Sequence, residues 1–173
     1  MNYNNFSKSI LKWYSLNKRD LPWRYKDNSK KDPYKIWISE IMLQQTTVTA
    51  VIPYYIKFIT KWPNIEKLSN ANIDEVLDFW SGLGYYRRAK NLHLTSRIIN
   101  KEYNNIFPKE EDQIKNLPGI GEYASAAIRS IAFNKKATVV DGNVKRVIAR
   151  FFALKGKLSD NEKDISKLAK FLT

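Results

Sequence analysis

The sequence predicts an all-α fold. Apolar residues recur at helical spacing along most of the chain, and no stretch keeps up the alternation of a strand. The punctuation agrees: Asn, Asp and Pro stand where helices would start, and Gly where they would stop.

Near the N-terminus, Phe6, Ile10, Trp13 and Tyr14 fall at i, i+4, i+7 and i+8, one face of a first helix. Asp32 can cap a second helix with Pro33 at its first position. Tyr34, Trp37, Ile38, Ile41 and Met42 then line one stripe. A third helix carries Val48, Val51, Ile52 and Tyr55 and ends by Trp62-Pro63. In "NIDEVLDFWSGLG", Asn72 is the cap, Glu75 a capping-box partner and Gly82 the stop.

Ala89 to Ile99 continues the pattern, and Lys109 to Asn116 forms a short helix before the Ala-rich helix from Tyr123 to Phe133. Asp141 precedes another amphipathic helix with Val144, Val147, Ile148, Phe151 and Phe152 on its apolar side. The segment "LSDNEKDISKLAKFLT" reads as a last, weakly amphipathic helix. Eight or more short helices are expected.

Composition narrows the function. The 173 residues suffice for one sizeable domain, or one plus part of a second. No run approaches the length of a membrane span, and "MNYNNFSKSI" lacks the apolar core of a signal peptide, so a soluble, intracellular protein is expected. The chain has no cysteine, which rules out disulfides, thiolate catalysis and Cys-ligated clusters within these residues. One histidine, His93, cannot build a His-based metal site. Thirty Lys+Arg against 17 Asp+Glu give a net charge of +13, which favours a polyanion such as nucleic acid, although a Lys- and Asn-rich composition accounts for part of it.

The stretch "NLPGIGEYASAA" sharpens that expectation. Pro118 fixes one φ, and Gly119 and Gly121 permit conformations closed to other residues. Helix, turn and Ala-rich helix make a helix–hairpin–helix whose amides, between Leu117 and Tyr123, can bind a backbone phosphate without reading sequence. Ile120 between the glycines can anchor the turn inward. An ordinary helix–helix turn is the competing reading.

Two carboxylates stand in unusual places. Glu40 lies in "WISEIMLQQTT", among core-type residues, one turn from Gln44. It reads either as a solvated seam residue or, if sheltered, as a carboxyl that keeps its proton for general-acid work. Asp141 reads as an N-cap, which does not exclude stabilising a nearby positive charge. A protonated acid with an ionised carboxylate is the general apparatus for cleaving a glycosidic bond.

The motifs "LPWR", "PYKIWISEIMLQQTTVTAVIPYY", "WSGLGYYRRAKNL", "LPGIGEYASAAI" and "VVDGNVKRVIAR" occur in this order. Together, from about Phe6 to Leu154, the chain resembles the adenine DNA glycosylases of the MutY type, within the endonuclease III-like helix–hairpin–helix superfamily. The resemblance implies a six-helix barrel plus a second helical domain built from both termini. The expected segments are 1–28, contributing to the second domain and the adenine pocket; 29–138, the barrel with its helix–hairpin–helix at 109–133; and 139–173, the start of an incomplete C-terminal part.

It further implies a base excision repair enzyme that flips adenine mispaired with 8-oxoguanine or guanine out of duplex DNA and hydrolyses its glycosidic bond. Glu40 matches the general acid, Asp141 the carboxylate that stabilises the deoxyribosyl cation, and Asn143 the residue that positions that aspartate and water. Tyr123 stands where strand-cutting relatives carry a Schiff-base lysine; a phenol forms no imine, so a monofunctional glycosylase is implied. Arg19, Trp23 and Arg24 match the adenine-pocket side. Leu43, Gln45, Thr46 and Tyr85 match residues beside the opposing base, and Leu117, Gly119, Ile120 and Gly121 the DNA-contacting hairpin. The resembling enzymes continue into a four-cysteine loop holding a [4Fe–4S] cluster, for which these residues offer no ligand, so no cofactor and no metal are expected here. The expected partner is duplex DNA, with no membrane and a monomeric protein. The competing expectation is a truncated, catalytically impaired DNA-binding fragment.

Overall fold

The computed structural model describes residues 3–25 and 31–173, and among them ten helices and no strand. In chain order these are α1 (Tyr3–Asn17), α2 (Pro33–Leu43), α3 (Val48–Lys61), α4 (Ile65–Ser69), α5 (Ile73–Trp80), α6 (Arg87–Tyr103), α7 (Glu111–Lys115), α8 (Glu122–Phe133), α9 (Gly142–Phe151) and α10 (Glu162–Leu172). They form two compact units, Leu21–Lys135 and a second from both chain ends, Met1–Asp20 with Lys136–Thr173. The expected boundary between residues 28 and 29 lies outside the described residues.

In the unit from Leu21 to Lys135, α2 is the central rod and packs against α3, α6 and α8. Its start follows the sequence reading: the Asp32 carboxylate accepts from the Tyr34 amide at 3.0 Å, and Pro33 occupies the first turn. Tyr34, Ile36, Trp37, Ile38, Ser39, Ile41 and Met42 are all buried, as expected of a helix that is apolar on most sides. An aromatic cluster of Phe58, Trp62, Phe79 and Trp80 fills the space beside α3 and α5. At α5, Asn72 caps by accepting from the Asp74 amide at 2.9 Å. The expected capping box is not completed, because Glu75 pairs with Lys61 at 2.7 Å.

The unit from both ends has a much smaller core of Ile148, Ile165 and Ala169, where α9 packs on α10. Helix α1 enters it through its N-terminal end. Phe6 stacks on Phe151 with ring centroids 4.1 Å apart, and Ser7 donates to the Leu172 carbonyl at 3.3 Å. Further along the expected apolar face, Ile10, Trp13 and Tyr14 are exposed. Three buried side chains cannot cover four helical turns, so periodicity located the helix but not a buried stripe.

Candidate functional site

Glu40 sits in the last turn but one of α2, half-buried, with Ile41 and Met42 wholly in the core beside it. Its carboxyl has no hydrogen-bond or ion-pair partner among the described residues. Burial without compensation disfavours the charged form and pushes its pKa up to about 7. The carboxyl is thus sheltered from solvent, and its burial favours the protonated form.

Asp141 is the N-cap of α9. Its Oδ1 accepts from the Val144 amide at 2.7 Å, and its Oδ2 accepts from Asn143 Nδ2 at 3.1 Å. Arg146 in turn donates to Asn143 Oδ1. An amide held on one side by a guanidinium and on the other by a carboxylate has its flip fixed. Sequence reasoning named Asn143 but not Arg146, whose i, i+3 spacing on a helix was the available signal. Asp141, Asn143 and Arg19 belong to the unit from both chain ends, and the other expected site residues to the unit from Leu21 to Lys135.

In the hairpin, the two glycines turn out to do different work. Gly119 has φ +79, and a Cβ built on it would lie 2.8 Å from Asn91 Cβ of α6. Both the backbone and this close approach require glycine. Gly121 instead is extended, with φ −84 and ψ −179, and a Cβ there would meet open space. The conformational freedom that both glycines offer is thus used at Gly119 and not at Gly121. Leu117 and Ile120 are buried anchors, and the Ile120 amide donates to the Leu117 carbonyl at 3.2 Å. Thr95 of α6 ties the turn down by donating to the Pro118 carbonyl at 2.9 Å. Glu111 of α7 binds both Lys115, at 2.7 Å, and Arg129 of α8, which clamps the two helices beside the hairpin. Gly121 supplies no side-chain cap, so the leading amides of α8 keep hydrogen-bonding capacity for an anion. Tyr123, in that first turn, is 44% exposed.

The remaining residues separate. Trp23 is in the core, edge-on to Tyr55 at 5.2 Å, while Arg24 is half-buried and Arg19 exposed. Of Leu43, Gln45, Thr46 and Tyr85, Thr46 and Tyr85 meet at one residue that sequence reasoning did not name, Arg88, whose guanidinium lies 5.5 Å from the Tyr85 ring. Its guanidinium donates to Thr46 Oγ1 and to the Leu83 and Gly84 carbonyls, each at 3.1 Å. Gln45 and Tyr85 are both exposed and both left-handed, at φ 56 and 50.

Among the described residues, no group of three or more His, Cys, Asp or Glu could hold a metal ion. With no cysteine in the chain, its residues do not fit a thiolate-ligated cluster. No helix among the described residues is long and apolar enough to cross a membrane.

The family model of the HhH-GPD superfamily base excision DNA repair proteins matches residues 38–172. The chain belongs to this superfamily. The HhH-GPD match takes in Glu40, the hairpin and Asp141. Adenine DNA glycosylase of Buchnera aphidicola subsp. Baizongia pistaciae is 48% identical over 164 residues, covering 94% of this chain and 44% of that protein. The chain therefore spans less than half the length of this relative. Among solved structures, a thermostable thymine-DNA glycosylase superposes with a TM-score of 0.84 at 34% identity, over 98% of this chain and 77% of that one. Endonuclease III trapped covalently on DNA superposes with a TM-score of 0.78 over 100% of this chain and 79% of that one. At 18% identity it shows that the HhH-GPD fold is shared and nothing finer.

Proposed function

We propose that the chain is the catalytic core of an adenine-specific DNA glycosylase of base excision repair. Its substrate is adenine mispaired with 8-oxoguanine or guanine in duplex DNA, and it acts as a monomer. The observation that carries the reading is Glu40, an unpaired carboxyl with a pKa near 7 inside the superfamily match, where a proton can be both held and given up at neutral pH. Similarity to adenine DNA glycosylases supports the choice of base.

In this mechanism Glu40 donates its proton to the ring of the extruded adenine. The electron pair of the glycosidic bond leaves with the base, and the role assigned to the Asp141 carboxylate is to stabilise the resulting oxocarbenium-like sugar. Asn143, oriented by Arg146, keeps that carboxylate in place. The ionised Glu40 then takes a proton from water, whose oxygen bonds to the sugar carbon. Tyr123 offers no amine, so no imine forms and the strand stays intact. The hairpin holds a phosphate on the leading amides of α8, with Leu117 and Ile120 as its buried anchors. Arg19, Trp23 and Arg24 build the adenine side, Trp23 from within the core. Leu43, Gln45, Thr46 and Tyr85 meet the opposing base. The iron–sulfur cluster of the resembling enzymes has no ligand in these residues and no step needs it.

The test is excision from a duplex with adenine opposite 8-oxoguanine, read as strand breaks after hot alkali. Breaks that depend on alkali are expected, with no adduct trapped by borohydride. Folded protein that leaves the adenine in place sinks the catalytic reading and favours a DNA-binding fragment.

A further inference from the structure

Arg88 is a charged residue buried to 9% exposure, and no carboxylate stands among its hydrogen-bond partners. Nη1 donates to the carbonyls of Ile41, Met42 and Gln44 at 3.1, 2.9 and 2.5 Å, the open C-terminal end of α2. Nη2 reaches Thr46 and the turn at Leu83 and Gly84. The guanidinium also lies 5.4 Å from the Trp80 ring and 5.5 Å from that of Tyr85. A cation at a helix C-terminus is favourable there, and a planar five-donor fork holds acceptors from two separate segments in fixed geometry, which a three-donor ammonium on a flexible stem does not.

The acceptors flank the two left-handed residues closely. Gln44 and Thr46 stand on either side of Gln45, and Gly84 immediately precedes Tyr85. Non-glycine residues at positive φ persist only where their surroundings hold them. Both side chains point out of the core at the ends of these segments, and Tyr85 is 62% exposed.

We propose that Arg88 is a positioning residue that clasps the Gln45 and Tyr85 tips into one rigid unit against the base opposite the target. This rests on the glycosylase reading above. The clasp sets discrimination of the opposing base, whereas general DNA affinity comes from the hairpin and the surface charge. Lysine keeps the charge but not the fork, so Arg88→Lys separates the two effects.

Fluorescence anisotropy would compare a duplex holding adenine opposite 8-oxoguanine with a fully paired one. Arg88→Lys is expected to lose about tenfold in preference between them, equivalent to one good hydrogen-bonded contact, with affinity for paired DNA within about twofold. An unchanged preference, or equal losses on both duplexes, overturns the proposal. If Arg88→Lys melts too low to measure, Arg88→Gln keeps a planar amide donor without the charge or the full fork, and a smaller loss of preference is expected; no loss overturns it. Should the wild-type protein neither excise adenine nor prefer the mispair, the glycosylase reading fails separately. Amide hydrogen exchange then decides the clasp. Faster exchange in Arg88→Lys at both 44–47 and 84–87 upholds it, and a change at one segment or neither overturns it.

Discussion

A carboxyl that keeps its proton up to pH 7 leaves a mark on stability as well as on rate. The folded protein holds the Glu40 proton with a pKa of about 7, and the unfolded chain with the ordinary 4.5. Between these values the folded state binds more protons, so stability falls as pH rises from 4.5 through 7, and the loss is complete above it. Glu40→Gln removes the penalty, and thermal melting above pH 7 should find it more stable than the wild type by on the order of 1–3 kcal/mol. Below pH 4.5 the difference should vanish. Its excision rate should be near background at every pH, whereas the wild-type rate declines above about pH 7. Asp141 offers the complementary separation. Asp141→Asn retains a side-chain oxygen for the Val144 amide, so melting should shift by less than about 1 kcal/mol while single-turnover excision drops by orders of magnitude. A parallel fall in both would mean that capping is the whole role of this residue.

At the scale of elements, the hairpin links the sequence to a specific backbone demand. Gly119→Ala should destabilise the protein by roughly 1–3 kcal/mol, from its left-handed φ and the approach to Asn91. Adding Asn91→Ala should recover only the smaller part of the steric cost, from Cγ and Nδ2, because alanine keeps the Cβ that stands 2.8 Å away; denaturant midpoints measure it. Gly121→Ala should leave stability nearly unchanged yet weaken DNA binding, because its methyl group would project into open space beside the leading amides of α8. Equal effects of the two alanines would break this division of labour. The caps at Asp32, Asn72 and Asp141 were legible in sequence because capping is a contact within three residues. Glu75 was misread since its ion pair with Lys61 joins two helices. Helix α4 escaped the sequence reading, although its Asn64 cap accepts from the Lys67 amide at 2.9 Å.

For the whole molecule, a net charge of +13 would make the proposed association with DNA an electrostatic event. Binding to undamaged duplex should weaken steeply with salt, by about 0.9 in log K per decade of salt for each phosphate neutralised. A nearly flat dependence in titrations from low to physiological salt would refute that account. The fold class and the caps at Asp32, Asn72 and Asp141 were determined by the sequence alone, because each is written in spacing or in residue types within one turn, whereas Glu40 was left between a seam residue and a sheltered carboxyl. Tertiary structure alone decided that Glu40 is sheltered without a partner, that Trp23 lies in the core, and that Ile10 and Trp13 do not. It also decided that Arg88 gathers Gln44, Thr46 and Gly84 around one guanidinium. Burial and desolvation depend on what arrives from distant parts of the chain, and no local pattern encodes that.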